Sequence, residues 1–243
     1  MKYLFAWGAV ASLLLVLSSC GKNEPQSTSG ETCTGSCTEQ SLNAPVGPQP
    51  APKPLIPYDE VAGNPSRVVL RFPAFDASWG LKRAVYDKAA AYFEKNKASI
   101  PNPRYFTLVD FNLRATQKRL FLFDLSTGAV ERHNVAAGRN SDPDDDGYAT
   151  LFSNQKGSKE SSLGFYQTLQ TYIGGHGLSL KLSGLDPTNS NAEARAIVMH
   201  PASYVNDATA STGSSWGCTA IDPNVSKSVI DRLKNGSMIL VDR

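Results

Sequence analysis

The sequence predicts a mainly β domain with α-helices (α+β), preceded by a helical segment and held behind a long tether. Three observations lead there. From residue 105 onward, apolar residues fall mostly in short runs broken by turn residues, the pattern of strands. One helical period precedes these runs and another interrupts them near the end. Residues 21–57 carry neither period and cannot bury a core.

Residues 1–20 read as an export signal. Lys2 supplies the charged start, Tyr3 to Leu17 is almost unbroken apolar sequence, and Ser18 and Ser19 precede Cys20. Leu17-Ser18-Ser19-Cys20 resembles a bacterial lipobox, which makes Cys20 the expected lipidation site and the membrane a partner through a lipid anchor. In that reading the mature chain sits on the periplasmic face of a membrane, and Gly21 after the cysteine suits the outer one. Residues 21–57 then form a disordered linker, polar at first and rich in alternating prolines from Pro45 to Pro57, that spaces the body from the membrane.

Residues 58–104 form the helical preface. Ser78 is the expected cap of a helix to Lys97, with Leu81, Val85, Ala89, Tyr92 and Phe93 on one stripe. The body, 105–243, starts with strands at Tyr105–Asn112, Arg119–Leu125 and Ala129–Ala136. Further strands are expected at Ala149–Phe152, Gly164–Thr171 and Ala196–Met199. A last helix at Asn224–Lys234, stopped by Gly236, leads to a final strand at Ser237–Val241.

The 243 residues suffice for one large or two small domains, and 41% hydrophobic with 19% charged residues is globular composition. A net charge of +2 shows no basic footprint for nucleic acid. Of four cysteines, Cys20 is the lipid candidate, and Cys33 and Cys37 can close a local disulfide across Thr34-Gly35-Ser36. That leaves Cys218 as an unpaired thiol in an oxidising compartment, either reactive or simply buried.

Other candidate sites carry less. Asp142 to Gly147 matches half of a calcium loop, but Ser153 stands where the bidentate glutamate belongs, so a solvated turn is expected. His176 lies in the turn Gly174-Gly175-His176-Gly177, from which it could reach a neighbouring site but reads first as turn filler, and His133 reads as a surface residue. Three scattered histidines do not make a zinc site, and no Gly-x-Ser-x-Gly elbow is present.

His200 and Cys218 remain. Ser215-Trp216-Gly217-Cys218 resembles the Ser-x-Gly-Cys signature of the YkuD-type L,D-transpeptidases, with His200 following the apolar run Ala196-Ile197-Val198-Met199. Phe152-Ser153-Asn154, Ser161 to Tyr166 and Gly184 to Tyr204 are similar to the murein L,D-transpeptidase branch of that family, so the likeness covers about 105–243. Two positions depart from the usual pattern. Thr219-Ala220-Ile221 stands where many members carry an arginine, and Pro201 follows the histidine where many have glycine or serine.

The resemblance implies a β-sandwich or barrel-like catalytic domain acting on peptidoglycan stem peptides. Cys218 would be the nucleophile and His200 the general base and acid, with the Gly217 and Cys218 N–H groups as oxyanion donors and Ser215 as active-site support. Glycine at 217 is expected to leave room for substrate, and Trp216 and Tyr166 are candidate substrate contacts. Such chemistry needs no metal and no organic cofactor. Crosslinking, hydrolysis by the same site, attachment of a protein amine to the wall, and noncatalytic wall binding are the alternatives.

Overall fold

Strands from 105 onward carry apolar side chains on both faces, because each face packs against a different layer. The structure, a computed structural model, describes residues 68–243. The export signal, the linker, Cys20, Cys33 and Cys37 therefore lie outside the described residues. The strands are β1 (Tyr105–Asp110), β2 (Leu120–Asp124), β3 (Ala129–His133), β4 (Val135–Ala136), β5 (Gly164–Gly174), β6 (Gly177–Gly184) and β7 (Val198–Pro201). They continue with β8 (Val205–Asn206), β9 (Ser211–Thr212), β10 (Thr219–Ile221) and β11 (Met238–Asp242), and the helices are α1 (Arg83–Asn96) and α2 (Pro223–Leu233).

Nine strands form one sheet in the order β3-β2-β1-β11-β5-β6-β7-β10-β4. His133 ends one edge strand and Val135 begins the other, with only Asn134 between them. Laid flat, eight strand spacings of about 4.8 Å would separate these edges by about 38 Å. Two peptide units reach only about 7 Å. The sheet therefore curls until its edges nearly meet, a barrel-like form with few helices.

Alternation then sorts the side chains. Phe106, Leu108, Phe121, Phe123, Met238 and Leu240 face outward onto α1, which buries Val85, Tyr86, Ala89 and Phe93 against them. Val109, Leu120, Leu122, Ile239 and Val241 point the other way into a core shared with Val229, Ile230 and Leu233 of α2. Full burial of a side chain such as Phe93 contributes roughly 1.5–3 kcal/mol. The preface helix is thus a packing layer on the outside of the sheet.

Several elements differ from the sequence expectation. The first helix begins at Arg83, because Asp76 caps a separate 3-10 turn at Ala77–Trp79 and Gly80 then turns the chain at φ 74°. Ser78 donates its backbone N–H to Asp76 Oδ1 at 2.8 Å, so it is capped rather than capping. The run Ala129–Ala136 splits at Asn134 into β3 and β4 at opposite edges. Ala149–Phe152 is no strand; the N–H groups of Thr150 and Leu151 both donate to the Ser141 carbonyl. The stretch after His176, unassigned from sequence, forms β6. His133 is buried rather than superficial, with Nδ1 2.6 Å from Asp207 Oδ2. Asp207 also accepts from the Asn134 N–H, so it anchors the crossing between the two edges.

Candidate active site

Strand pairing brings the turn that holds the cysteine alongside the strand that holds the histidine. Strands β7 and β10 run parallel, with His200 opposite Ala220, and β4 places Ala136 opposite Ala220. Met199, Ile221 and Val135 point into the inner core, while Ala136 and Ala220 form a separate outer cluster with Ala202 and Val205. His200 shares the parity of Ala220 and so faces outward. Cys218 lies in the bend just before β10, next to Thr219, which pairs with Met199 of β7.

The imidazole is tied on one edge. His200 is 3% exposed, and its Nδ1 lies 2.9 Å from the Pro201 carbonyl. A carbonyl only accepts, so Nδ1 carries the proton and Nε2 of the neutral ring keeps its lone pair. The bond uses a backbone oxygen, which proline supplies as well as glycine or serine would. Burial holds the His200 pKa below its usual value, with the Pro201 bond opposing and the charge of His176 adding to the shift. At neutral pH the ring is uncharged and able to accept a proton.

The thiol is not paired with it. Cys218 Sγ is 3.6 Å from the Ala196 carbonyl, and no hydrogen bond joins it to His200. Burial raises the thiol pKa, against smaller opposing effects from the Val198 N–H and the Arg195 charge. The resting pair is therefore a neutral thiol and a neutral imidazole, not a standing thiolate–imidazolium pair. Ala196, expected in the strand, instead adopts φ 54° just before it, and its carbonyl holds the sulfur.

Ser215 shapes the turn. Its hydroxyl lies 2.8 Å from the Cys218 carbonyl and accepts the Gly217 N–H at 3.0 Å, while its backbone bonds to Ala137 and Arg139. The Gly217 N–H is therefore engaged, contrary to the role expected for it as an oxyanion donor, and the Cys218 N–H is the remaining candidate. Glycine at 217 is required for a different reason than room for substrate. It sits at φ 111°, and a Cβ there would lie 2.5 Å from the Glu160 carbonyl oxygen and 3.0 Å from an Arg195 nitrogen.

The two aromatic candidates separate. Trp216 is 70% exposed beside the cysteine, under Lys159 Nζ at 4.8 Å from its ring centre, so it is no part of the core. Tyr166 is buried, bonded through its hydroxyl to Ser162 at 2.6 Å, with its pKa pushed up to about 12 chiefly by burial. It lines a small cavity together with Gly217 and Cys218. Beside the turn, a cleft of about 760 Å³ reaches Ser214 and is walled by Arg114, Arg119, Arg139 and the 209–213 segment.

Three residues that the sequence does not assign to the site lie beside it. Arg195 donates to the carbonyls of Ser153 at 2.5 Å and Glu160 at 2.6 Å and lies 3.2 Å from the Ser162 and Ser158 hydroxyls. It ties the 153–162 segment to the cysteine turn. A lone arginine four residues before β7's centre gives no periodic signal. Tyr204 follows β7 closely enough for the Cys218 charge to act on its hydroxyl. His176 stacks on His200, with ring centres 4.3 Å apart. Asp142, Asp144 and Asp146 place their carboxylates within 4.8 Å of one another, in the solvated turn that was expected.

Fold and site together define a β-domain that holds a histidine on one strand and a free cysteine in the turn that leads into the parallel strand beside it. The chain belongs to the YkuD-type L,D-transpeptidase catalytic domain family, whose model matches residues 78–241. The match takes in α1 as well as the strands. No curated protein matches the sequence. Among solved structures it is similar to an L,D-transpeptidase from Mycobacterium smegmatis, at 12% identity over 58% of this chain and 59% of that one, TM-score 0.37. It is also similar to Mycobacterium tuberculosis L,D-transpeptidase 1, at 11% identity over 57% and 62%, TM-score 0.33. The helical cell shape determining protein Pgp2 from Campylobacter jejuni gives 13% identity over 66% and 56%, TM-score 0.35. The chain spans about three-fifths of the length of these structures.

Proposed function

We propose that this chain is a cysteine-dependent L,D-transpeptidase that acts on peptidoglycan tetrapeptide stems through a thioester. The observation that carries the reading is the parallel β7–β10 pairing, which brings the turn holding Cys218 alongside the strand of His200, together with the Nδ1–Pro201 bond that leaves Nε2 free. The reaction starts when the thiol leaves the Ala196 carbonyl and gives its proton to Nε2. The sulfur then attacks the carbonyl of the third stem residue. Collapse of the tetrahedral adduct breaks the amide C–N bond, and the imidazolium returns the proton to the leaving D-alanine amine. An amine from a second stem attacks the thioester, restoring the thiol and forming the crosslink. One oxyanion donor, assigned to the Cys218 N–H, contributes about 3 kcal/mol to such a step.

The cleft beside Ser214 has the volume of a ligand site and arginines on its wall, which suits it to a stem peptide with free carboxylates. Placement follows from the amino terminus: export, lipidation at Cys20 and a proline-rich spacer would hold the domain at the periplasmic face of a membrane. Radiolabelled palmitate tests that part, and label retained in Cys20→Ala would refute it.

Purified tetrapeptide muropeptides test the chemistry. Mass spectrometry should find crosslinked dimers, released D-alanine and an acyl adduct on Cys218. Cys218→Ala should lose at least about 10⁴-fold in rate without losing its fold. Tripeptides without dimers would make the enzyme a carboxypeptidase, and a protein joined to the stem would make it an attachment enzyme. No product from the wild type, with muropeptide still bound, would leave a noncatalytic wall-binding protein.

A further inference from the structure

We propose that His176 is a positioning residue for His200, held over the site by the β5–β6 turn. The inference rests on His200 being the base of the proposed reaction. Gly174 and Gly177 pair at the end of the hairpin, leaving Gly175-His176 as its two-residue turn. Strand β6 meets β7 only at Leu180 and Lys181, so residues 172–178 project beyond that pairing. Tyr172 and Ile173 on the projecting end are 39% and 78% exposed. An end so open to solvent has little apolar contact of its own. It nevertheless lays the His176 ring on His200 at 4.3 Å and 25°, a stacked pair.

The contact acts on a degree of freedom the base needs fixed. The Pro201 carbonyl restrains Nδ1 at one edge of the ring but does not by itself cover a ring face. His176 covers one, so the two contacts together restrict the swing of Nε2. Gly177, at φ 84°, brings the same turn toward Pro201: a Cβ there would lie 3.8 Å from the proline Cγ. The stack also bears on protonation, since two imidazolium rings at this distance repel. The one charged group that acts on His200 is His176 from the hairpin; Cys218 acts on Tyr204, and Arg195 on Cys218. Burial is the main cause of the low His200 pKa, and the His176 charge adds to it.

The test uses the full chain with His176→Ala and His176→Phe, the second keeping a stacking ring without a titrating one. Three readings are taken: kcat and KM on tetrapeptide muropeptides at pH 8, the His200 ring-proton titration by NMR, and the rate of Cys218 alkylation by iodoacetamide. His176→Ala should lower kcat by about 10- to 100-fold with KM little changed, as expected for a misplaced base. His176→Phe should recover most of that loss. In both variants the His200 titration should move to higher pH, because the neighbouring charge is gone. An unchanged titration and an unchanged kcat in His176→Ala would overturn the proposal, and so would a His176→Phe as slow as His176→Ala. Alkylation and titration need no muropeptide. A wild type that makes no product, but whose Cys218 alkylation slows in His176→Ala and recovers in His176→Phe, supports the positioning role while refuting the substrate reading.

Discussion

The two ends of the curled sheet are built by different physics. At the β2-β1-β11 end both faces are apolar, and α1 closes the outer one with Phe93, Tyr86 and a set of edge-to-face rings around Phe72. At the β7-β10-β4 end the strands are four, three and two residues long, and their outer face carries His200 and small alanines under loop 202–214. What holds this second end is a set of polar side chains gripping backbone: Ser215 on Cys218 and Gly217, Arg195 on Ser153 and Glu160, Asp207 on Asn134. Apolar packing is non-directional and supplies stability. Side-chain bonds to backbone are directional, and they place a sulfur and an imidazole while leaving one face open to substrate.

Substitutions that act on one end should spare the other. Phe93→Ala, at the packed end, should cost about 3–5 kcal/mol in a urea titration, with activity per folded molecule unchanged. Arg195→Leu, at the site end, leaves two part-buried carbonyls without this donor and should cost about 1–2 kcal/mol. Removing its charge should also raise the Cys218 pKa, seen as an alkylation profile displaced to higher pH; a profile that stays put would mean the guanidinium is only a staple.

Asp124, beside Arg104 and Ser126 at the packed end, is a smaller case. Burial works against its charge, but the bonds from Arg104 and Ser126 prevail and hold its pKa at about 2. A depressed carboxylate stabilises the fold above its unfolded pKa, and that contribution disappears as pH falls through the folded value. Asp124→Asn should therefore cost about 1 kcal/mol at pH 7, less than the full shift implies because solvent screens the pair. The gap from wild type should close between about pH 4 and 2. Least of all, Trp216→Ala should change stability by under about 0.5 kcal/mol, since the ring is exposed. Its effect should appear in KM for muropeptides, and an unchanged KM would remove it from the substrate surface.

Legibility in sequence followed the same division. Short apolar runs placed β1, β2, β5 and β11 within a few residues, and the stripe of Leu81, Val85, Ala89 and Phe93 placed α1. These elements form where local pattern and tertiary packing agree. The site end gave weaker signals. Strands of two to four residues have no period to read, which is why the sequence joins β4 to β3 and shows a strand at Ala149–Phe152. Ser215, Gly217, His200 and Cys218 are legible only as a motif, and the motif does not carry the backbone reason for Gly217.

The sequence by itself determined the inventory: an unpaired thiol, a histidine after an apolar run, a glycine where no side chain is tolerated, and enough two-faced apolar strands for a closed core. Tertiary structure alone decided which of these meet. Parallel pairing of β7 with β10 joins residues that no local interaction brings together, and curling of the sheet sets Asn134 between two distant edges. It also decided that the thiol rests on Ala196, that Gly217's N–H is already taken, and that His176 lies on His200. Each of these depends on contacts between segments far apart in the chain, and such contacts leave no periodic trace in the residues that make them.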